Sequence, residues 1–510
     1  MVDSAKDALM AFTNAPQNQT YKTESITFDD TIAYRTGNLT VQRDSAIWNM
    51  FYDRISQENK TRDVSLKKRP GLGVTTYSLT KDTASDNLRG YYYDVPSNRF
   101  YWAVNDNVYS VTPDVGSTVR TVATLVTSSG YVGFTEFLQA ATGKRFVVFS
   151  DGTDLWVDDY AATSCTKVVA ADLPTPHVPQ PVQLDGYIFL AAANTNDVYN
   201  SNNDDPTLWT AGDYISAEMS GDYVIKLATA RNYVVAFGNK SIEIFWNAAE
   251  VSGSPMKRNE SGYKSVGYVT GLINIQDVLY FVGQEANKAL AVYKLDGFKL
   301  DRVSDEAVDR SLQVITSTVN DKAEVNLDRD GYCISVDGHT FYCLVTPQTT
   351  WMYDVDEKFW YEWRNSSNTG LDIQASWGMF NGAQYVAIGG QTYISMMTPA
   401  LYQDFGSNFK CRYITQDNIF GTMNWKTCNR AVIQGDMHQH TGTSNLQLYY
   451  SDNDWADGGT NGPIDINLFN SSPFAQRLGR FRNRSFKLEY SDNYPLRLKK
   501  MELDLNIGAH

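Results

Sequence analysis

The chain has 510 residues, a formal net charge of −14 and an aromatic content of 13%. Its length allows about three domains of ~100–200 residues each, and no stretch approaches the ~18 apolar residues that a bilayer-spanning helix needs. The N-terminus carries no charged-then-apolar leader, and the five cysteines are odd in number and scattered, which predicts reduced thiols and synthesis in a cytosol.

The charge is unevenly placed. Between Arg54 and Arg69 there are six Lys/Arg against two Asp/Glu, and between Arg477 and Lys500 eight against two. The remainder is therefore strongly acidic. Sequence-independent DNA binding relies on cations neutralising phosphate, so this balance argues against it. It suits a surface that repels DNA, or one whose acidity keeps the protein dissolved.

Residues 1–36 are polar and weakly periodic and read as an N-terminal arm, with Asp7 to Phe12 able to start a short helix. Residues 37–75 form a platform segment. It carries apolar Leu39, Val41, Ile47, Trp48, Met50 and Phe51, then basic Leu66-Lys67-Lys68-Arg69 ending at Pro70-Gly71.

From 76 to 400 a hairpin pattern recurs. Anchored on Tyr101, Phe146, Ile188, Val234, Leu279, Ile334 and Tyr385, the spacings are 45, 42, 46, 45, 55 and 51. A period of ~40–50 built from short strands is the mark of a β-propeller, because one small sheet cannot cover both its faces and packs on its neighbours. Asp151-Gly152, Asp337-Gly338 and Gly389-Gly390 supply turn chemistry. The third repeat carries a long polar loop, Asn194 to Pro206. The sixth adds a strand pair around Trp351-Met352-Tyr353 and Phe359-Trp360-Tyr361. The count is six blades, or seven if every hairpin lies in the ring.

After 400 the period breaks. Leu446 to Tyr450, Ser485 to Tyr490 and Leu496 to Leu505 alternate, with an Asn/Asp/Gly loop from Ser451 to Gly462. Residues 401–510 therefore read as an antiparallel β-sandwich. The fold class is all-β, a propeller plus a sandwich platform that both chain ends share.

Catalytic signals are thin. No nucleophile sits in a glycine elbow, and neither the Walker lysine motif nor the dinucleotide fingerprint occurs. His438 and His440 with Cys411 and Cys428 match no familiar zinc spacing. The Asp/Asn-rich stretches 200–205 and 451–457 lack the order of a calcium loop and read as turns. Ser150-Asp151-Gly152-Thr153-Asp154-Leu155-Trp156 approximates the Asp-box turn of sialidase propellers but is out of step with it, and a glycosidase further needs two aimed carboxylates. Cys333 and Cys343 flank a two-residue turn in which 333 faces 342, so no disulfide is expected. The reading is of a non-enzymatic protein with no metal and no cofactor.

Several passages resemble one family. Trp48-Asn49-Met50 with Leu66 to Gly71 resembles its "Asn-Met … Arg-x-Pro-Gly" opening. Ala236 to Phe245 is similar to its "phenylalanine-glycine, short turn, isoleucine-glutamate-aromatic" hairpin. Leu448 to Asp452, Arg477 to Arg482 and Phe486 to Leu488 resemble its C-terminal block. The family is the tail hub of short-tailed bacteriophages, also called the packaged-DNA stabilisation or tail nozzle protein, and the likeness runs from about 40 to 505.

The resemblance implies a virion structural protein. It implies a homohexameric ring in the distal part of the short tail, made in the host cytoplasm. The ring would extend the channel of the portal and its adaptor, retain packaged DNA and conduct it at ejection. Implied partners are the head-to-tail adaptor, a tail needle or plug, and tail spikes or fibres, with double-stranded DNA passing without tight binding. Under that reading Arg69, Arg477, Arg480, Arg482 and Arg484 are candidates for the subunit or adaptor interface. The competing class is a carbohydrate-binding or glycoside-hydrolysing β-propeller, which a secretory leader and paired carboxylates would favour.

Overall fold

A computed structural model describes residues 20–28, 47–55, 63–82, 86, 88–114, 116–160, 165–318, 331–346, 349–436, 444–453, 455, 460–470 and 472–508. It divides into two compact units. One comprises 1–71, 361–368 and 400–510, and the other 72–360 and 369–399. The segment 361–368, which the repeat period put inside 76–400, thus belongs to the unit formed by the chain ends.

The larger unit is a propeller. Six of its sheets are separate four-stranded antiparallel blades, within 88–124, 133–167, 182–216, 224–264 and 266–302, with the sixth built from 373–398 and the strand Gly71–Ser78. A further meander, Tyr332–Val336, His339–Val345 and Thr350–Asp354, stands in the ring between the last two and is continued by the strand Phe359–Trp363, of which only Phe359 and Trp360 belong to this unit. The innermost strands neighbour one another in chain order, and Ile373–Phe380 returns to Leu88–Asp94. The ring therefore holds the six separate sheets and this seventh meander.

Alternation explains the packing. Along Arg99–Val104, Phe100, Trp102 and Val104 join a cluster with Trp377, Tyr385 and Ile394 of the last blade. Tyr101 and Ala103, pointing the other way, join Phe134, Val147 and Phe149 of the next blade. The same split recurs in Tyr187–Ala191. Ile188 and Leu190 pack with Val148 and Leu155, while Phe189 and Ala191 pack with Val234 and Phe245. Both faces of each middle strand are buried, which is why these strands read as unbroken apolar runs. Each buried Phe, Val or Leu contributes ~1.5–3 kcal/mol.

The ring is closed by a strand from its own N-terminal end. Gly71–Ser78 pairs with Tyr393–Thr398, Thr75 Oγ1 donates to Ile394 O at 2.7 Å, and Leu79 N donates to Thr392 O at 2.8 Å. The strand starts where only glycine fits, because a Cβ on Gly71 would lie 2.1 Å from Gln403 O.

Three sequence readings change. Asn194 to Pro206 is not a long loop: Asp197–Asn202 is a strand, and Asp205–Ser216 begins at its end. Asn200 and Ser201 are buried there, so polar composition concealed a blade strand. Trp351 and Phe359 mark the third and fourth strands of their meander, not an added pair. Ile334 lies in a first strand whereas the other anchors lie in second strands, and a helix, Glu306–Thr318, precedes it. The helix lengthened the spacing before Ile334, and the first-strand anchor lengthened the one after it. Cys333 does face Tyr342, and all five cysteines are free.

The smaller unit has two sheets, antiparallel except where Trp48 pairs in parallel with Glu362. One contains Met50–Ile55, Asp63–Lys68, Arg497–Ile507, Lys426–Gly435 and Phe474–Gln476, and Thr20–Thr27 pairs along Arg497–Ile507. Residues 20–27 of the expected arm are therefore sheet. The other contains Ile47–Trp48, Cys411–Ile414, Ser485–Tyr490, Asn445–Ser451 and Asn461–Asn467. Phe28 meets Tyr413 edge-on at 5.0 Å between ring centroids, joining the two layers. The helix considered for Asp7 to Phe12 lies outside the described residues, as do Leu39 and Val41.

Candidate functional site

The basic segment ending at Gly71 folds inward. Arg69 and Lys68 are buried. The Arg69 guanidinium makes two bonds to Asp404, at 2.6 and 3.0 Å, and lies 3.8 Å from the Phe409 ring centroid. Its Nε donates to Asn49 Oδ1 at 2.9 Å. Asn49 adopts a positive φ of 55°, accepts from Arg364 N and donates to Lys410 O. Lys68 Nζ donates to the carbonyls of Tyr402 and Asp492, and burial holds its pKa below the usual lysine value. Asn49 and Arg69, the residues that opened the family resemblance, thus tie three chain segments of the smaller unit together. Arg69 offers no surface to a partner.

Arg484 is likewise interior. It grips Asp452 through Nε at 2.6 Å and Nη2 at 2.8 Å, donates to Leu478 O, and lies near the rings of Tyr450 and Phe481. Spacing alone could not separate it from its neighbours in an arginine-rich run. The other three predicted interface arginines, Arg477, Arg480 and Arg482, are exposed. Arg480 and Arg482, two apart, hold their guanidiniums 4.6 and 4.9 Å from the ring of Trp425, itself 42% exposed. Arg430 lies 4.6 Å from exposed Phe474. Sequence reasoning missed Trp425, Arg430 and Phe474, which strand pairing brings close. Cations and exposed aromatics on one unit are a composition enriched at protein interfaces.

A second basic cluster went unforeseen. Glu489 is approached by Arg412 at 2.7 Å, Lys410 at 3.2 Å and Lys487 at 3.8 Å. Burial raises its pKa, but the three cations outweigh that and hold it below the ordinary glutamate value. Trp48 lies between the guanidiniums of Arg412 and Arg364, at 3.6 and 4.0 Å.

Ser150 Oγ and His177 Nε2 are 2.6 Å apart, the geometry of a hydrolytic pair. Both are buried, and the far nitrogen of His177 faces Pro174 O at 2.7 Å where a triad needs a carboxylate. Burial keeps His177 below its usual pKa. Asp151 accepts from Thr153 N, Asp154 N and Thr127, so the motif resembling an Asp-box is a turn fastener. Among the described residues no group of three or more metal-ligating side chains forms, and His438 and His440 lie outside them. Cys411 and Cys428 are buried, the Cys411 thiol pushed up to about 11. The stretch 451–457 is described only in part; Ser451 Oγ there accepts from Trp455 N.

A sequence model described as "Bacteriophage P22 Gp10, beta-propeller", of the phage stabilisation family, matches residues 57–394. The chain belongs to that family. The match takes in all the strands of the ring but most of Tyr393–Thr398, and it makes this a bacteriophage structural protein on a β-propeller. No curated protein sequence matches the chain. Among solved structures, the WD40 propeller domain of Doa1 is 11% identical, covering 64% of this chain and 97% of its own, with a TM-score of 0.36. The N-terminal domain of Nup159 is 10% identical, covering 69% and 99%, with a TM-score of 0.38. No helix among the described residues is long and apolar enough to cross a membrane.

Proposed function

We propose that this chain is the subunit of a tail hub, a hexameric nozzle that extends the portal–adaptor channel, retains packaged DNA and conducts it during ejection. The family match over residues 57–394 carries the reading. The net charge of −14 supports it, since six such copies around a channel would repel phosphate and let DNA slide. The hub lies in the distal part of the tail. It meets the adaptor and neighbouring subunits through exposed Arg477, Arg480 and Arg482, the last two beside Trp425. A needle or plug and tail spikes or fibres are its further partners, and it has no catalytic role.

The test uses DNA-filled capsids that carry portal and adaptor but lack this chain. Purified protein should co-sediment with them and stop DNA leakage. Absence of binding with continued leakage would sink the hub reading.

A further inference from the structure

One sheet of the smaller unit has two unlike faces. Lys426, Cys428, Phe481 and Leu505 point into the unit and are buried. Their neighbours along each strand point outward. Tyr21 stands opposite Asn506, Asn506 opposite Thr427, and Thr427 opposite Arg480, so one row crosses four strands. Strands lie ~4.8 Å apart, which makes the row about 15 Å wide. Trp425, two residues before Thr427, emerges on the same side against Arg480 and Arg482. Phe474 emerges there too, beside Arg430. Tyr21 is 76% exposed, and Trp425 and Phe474 are exposed with it. Three exposed aromatic rings on one sheet face make an apolar patch of the kind that marks an interaction site.

The charge on this face is unbalanced. Elsewhere in the unit Arg412, Arg484 and Arg497 are paired with Glu489, Asp452 and Asp53. On the outward face Asp504 stands opposite Arg430, and Glu502 is paired with Lys500. Among the described residues no carboxylate pairs with Arg480 or Arg482. The two units differ in the same sense. The smaller one holds 23 Lys/Arg against 21 Asp/Glu, and the propeller unit 21 against 37.

A two-fold contact between identical faces would set Arg480 and Arg482 against their own copies, where like charges repel. A ring of more than two subunits instead joins two different surfaces of each subunit. The division of charge supplies such a pair. We propose that this face docks on the acidic propeller of a second copy of the chain. Arg480 and Arg482 pair with carboxylates there, and Trp425 is the aromatic anchor. The inference rests on the hub reading for the ring and adds which surfaces meet, the smaller unit of one copy and the propeller of the next.

Sedimentation velocity on the full chain tests it. At concentrations up to about 50 μM the natural protein should self-associate in about 50 mM salt and dissociate in about 500 mM. Arg480→Glu with Arg482→Glu should weaken association about tenfold or more, and Trp425→Ala should weaken it as well, both with unchanged circular dichroism because the positions are exposed. Carbodiimide cross-linking of mixed light and heavy-isotope protein, carrying Arg480→Lys, should join position 480 of one copy to Asp or Glu of the propeller unit of the other. A monomer throughout, association indifferent to the charge reversal, or cross-links confined to the smaller units would overturn the proposal. If the double reversal does not fold, Arg480→Ser with Arg482→Ser decides. Binding to adaptor-bearing capsids by a chain that stays monomeric overturns this proposal and keeps the hub. Self-association with these dependences but without capsid binding supports the proposal and sinks the hub.

Discussion

Arg69 and Asp404 lie 335 residues apart in sequence and meet as a buried two-bond ion pair. One comes from the segment before the propeller and the other from the segment after it. The pair fixes the two chain ends of the smaller unit against each other.

Asp404→Ala should therefore strand a buried guanidinium. The expected cost is ~3–5 kcal/mol. The double variant Arg69→Met with Asp404→Ala should cost clearly less than Arg69→Met and Asp404→Ala added together. Denaturant unfolding of all three variants checks this, and additive losses would contradict a coupled pair.

The arginine-rich C-terminal run should divide in two. Arg484→Ala should destabilise by about 2 kcal/mol or more, through its lost bonds to Asp452 and Leu478 O and its lost packing. Replacing Arg477, Arg480 and Arg482 together by serine should shift stability by only ~0.5 kcal/mol per site. Assembly onto adaptor-bearing capsids should nevertheless fall in that triple variant. Unchanged assembly would remove this surface from the interface.

Ring closure makes a prediction for hydrogen exchange. Amides of 393–398 pair with Gly71–Ser78. A chain shortened to begin after residue 78 should lose protection across 393–398, while the blade at 224–264 keeps it. Retained protection at 393–398 would mean that another strand closes the ring.

Acid should loosen the smaller unit through Glu489. Its folded pKa is lowered by Arg412, Lys487 and Lys410 against the opposing effect of burial. A carboxyl with a depressed folded pKa adds stability above its unfolded value of 4.5, and that stability fades as pH falls through the folded value. The stability gap between the natural protein and Glu489→Gln should be present at pH 7 and shrink on titration toward pH 3. A gap that stays constant or grows would refute the assignment.

The repeats were legible because propeller strands are buried on both faces. Phe100-Tyr101-Trp102 reads as unbroken apolar sequence since Trp102 and Tyr101 serve different neighbours. Asp197–Asn202 was illegible for the opposite reason: Asn200 and Ser201 are buried polar residues that a local pattern assigns to a loop. Sequence likewise found the basic run but could not sort it. Arg480 and Arg484 differ only in what other strands place beside them.

Charge balance, all-β class, repeat period, thiol pairing and family were set by the order of residues alone, since each depends on composition or on neighbours a few positions apart. The tertiary structure decided which strand closes the ring and which arginines face inward. Those relations join residues tens to hundreds of positions apart, and only the folded chain brings them within a few ångströms.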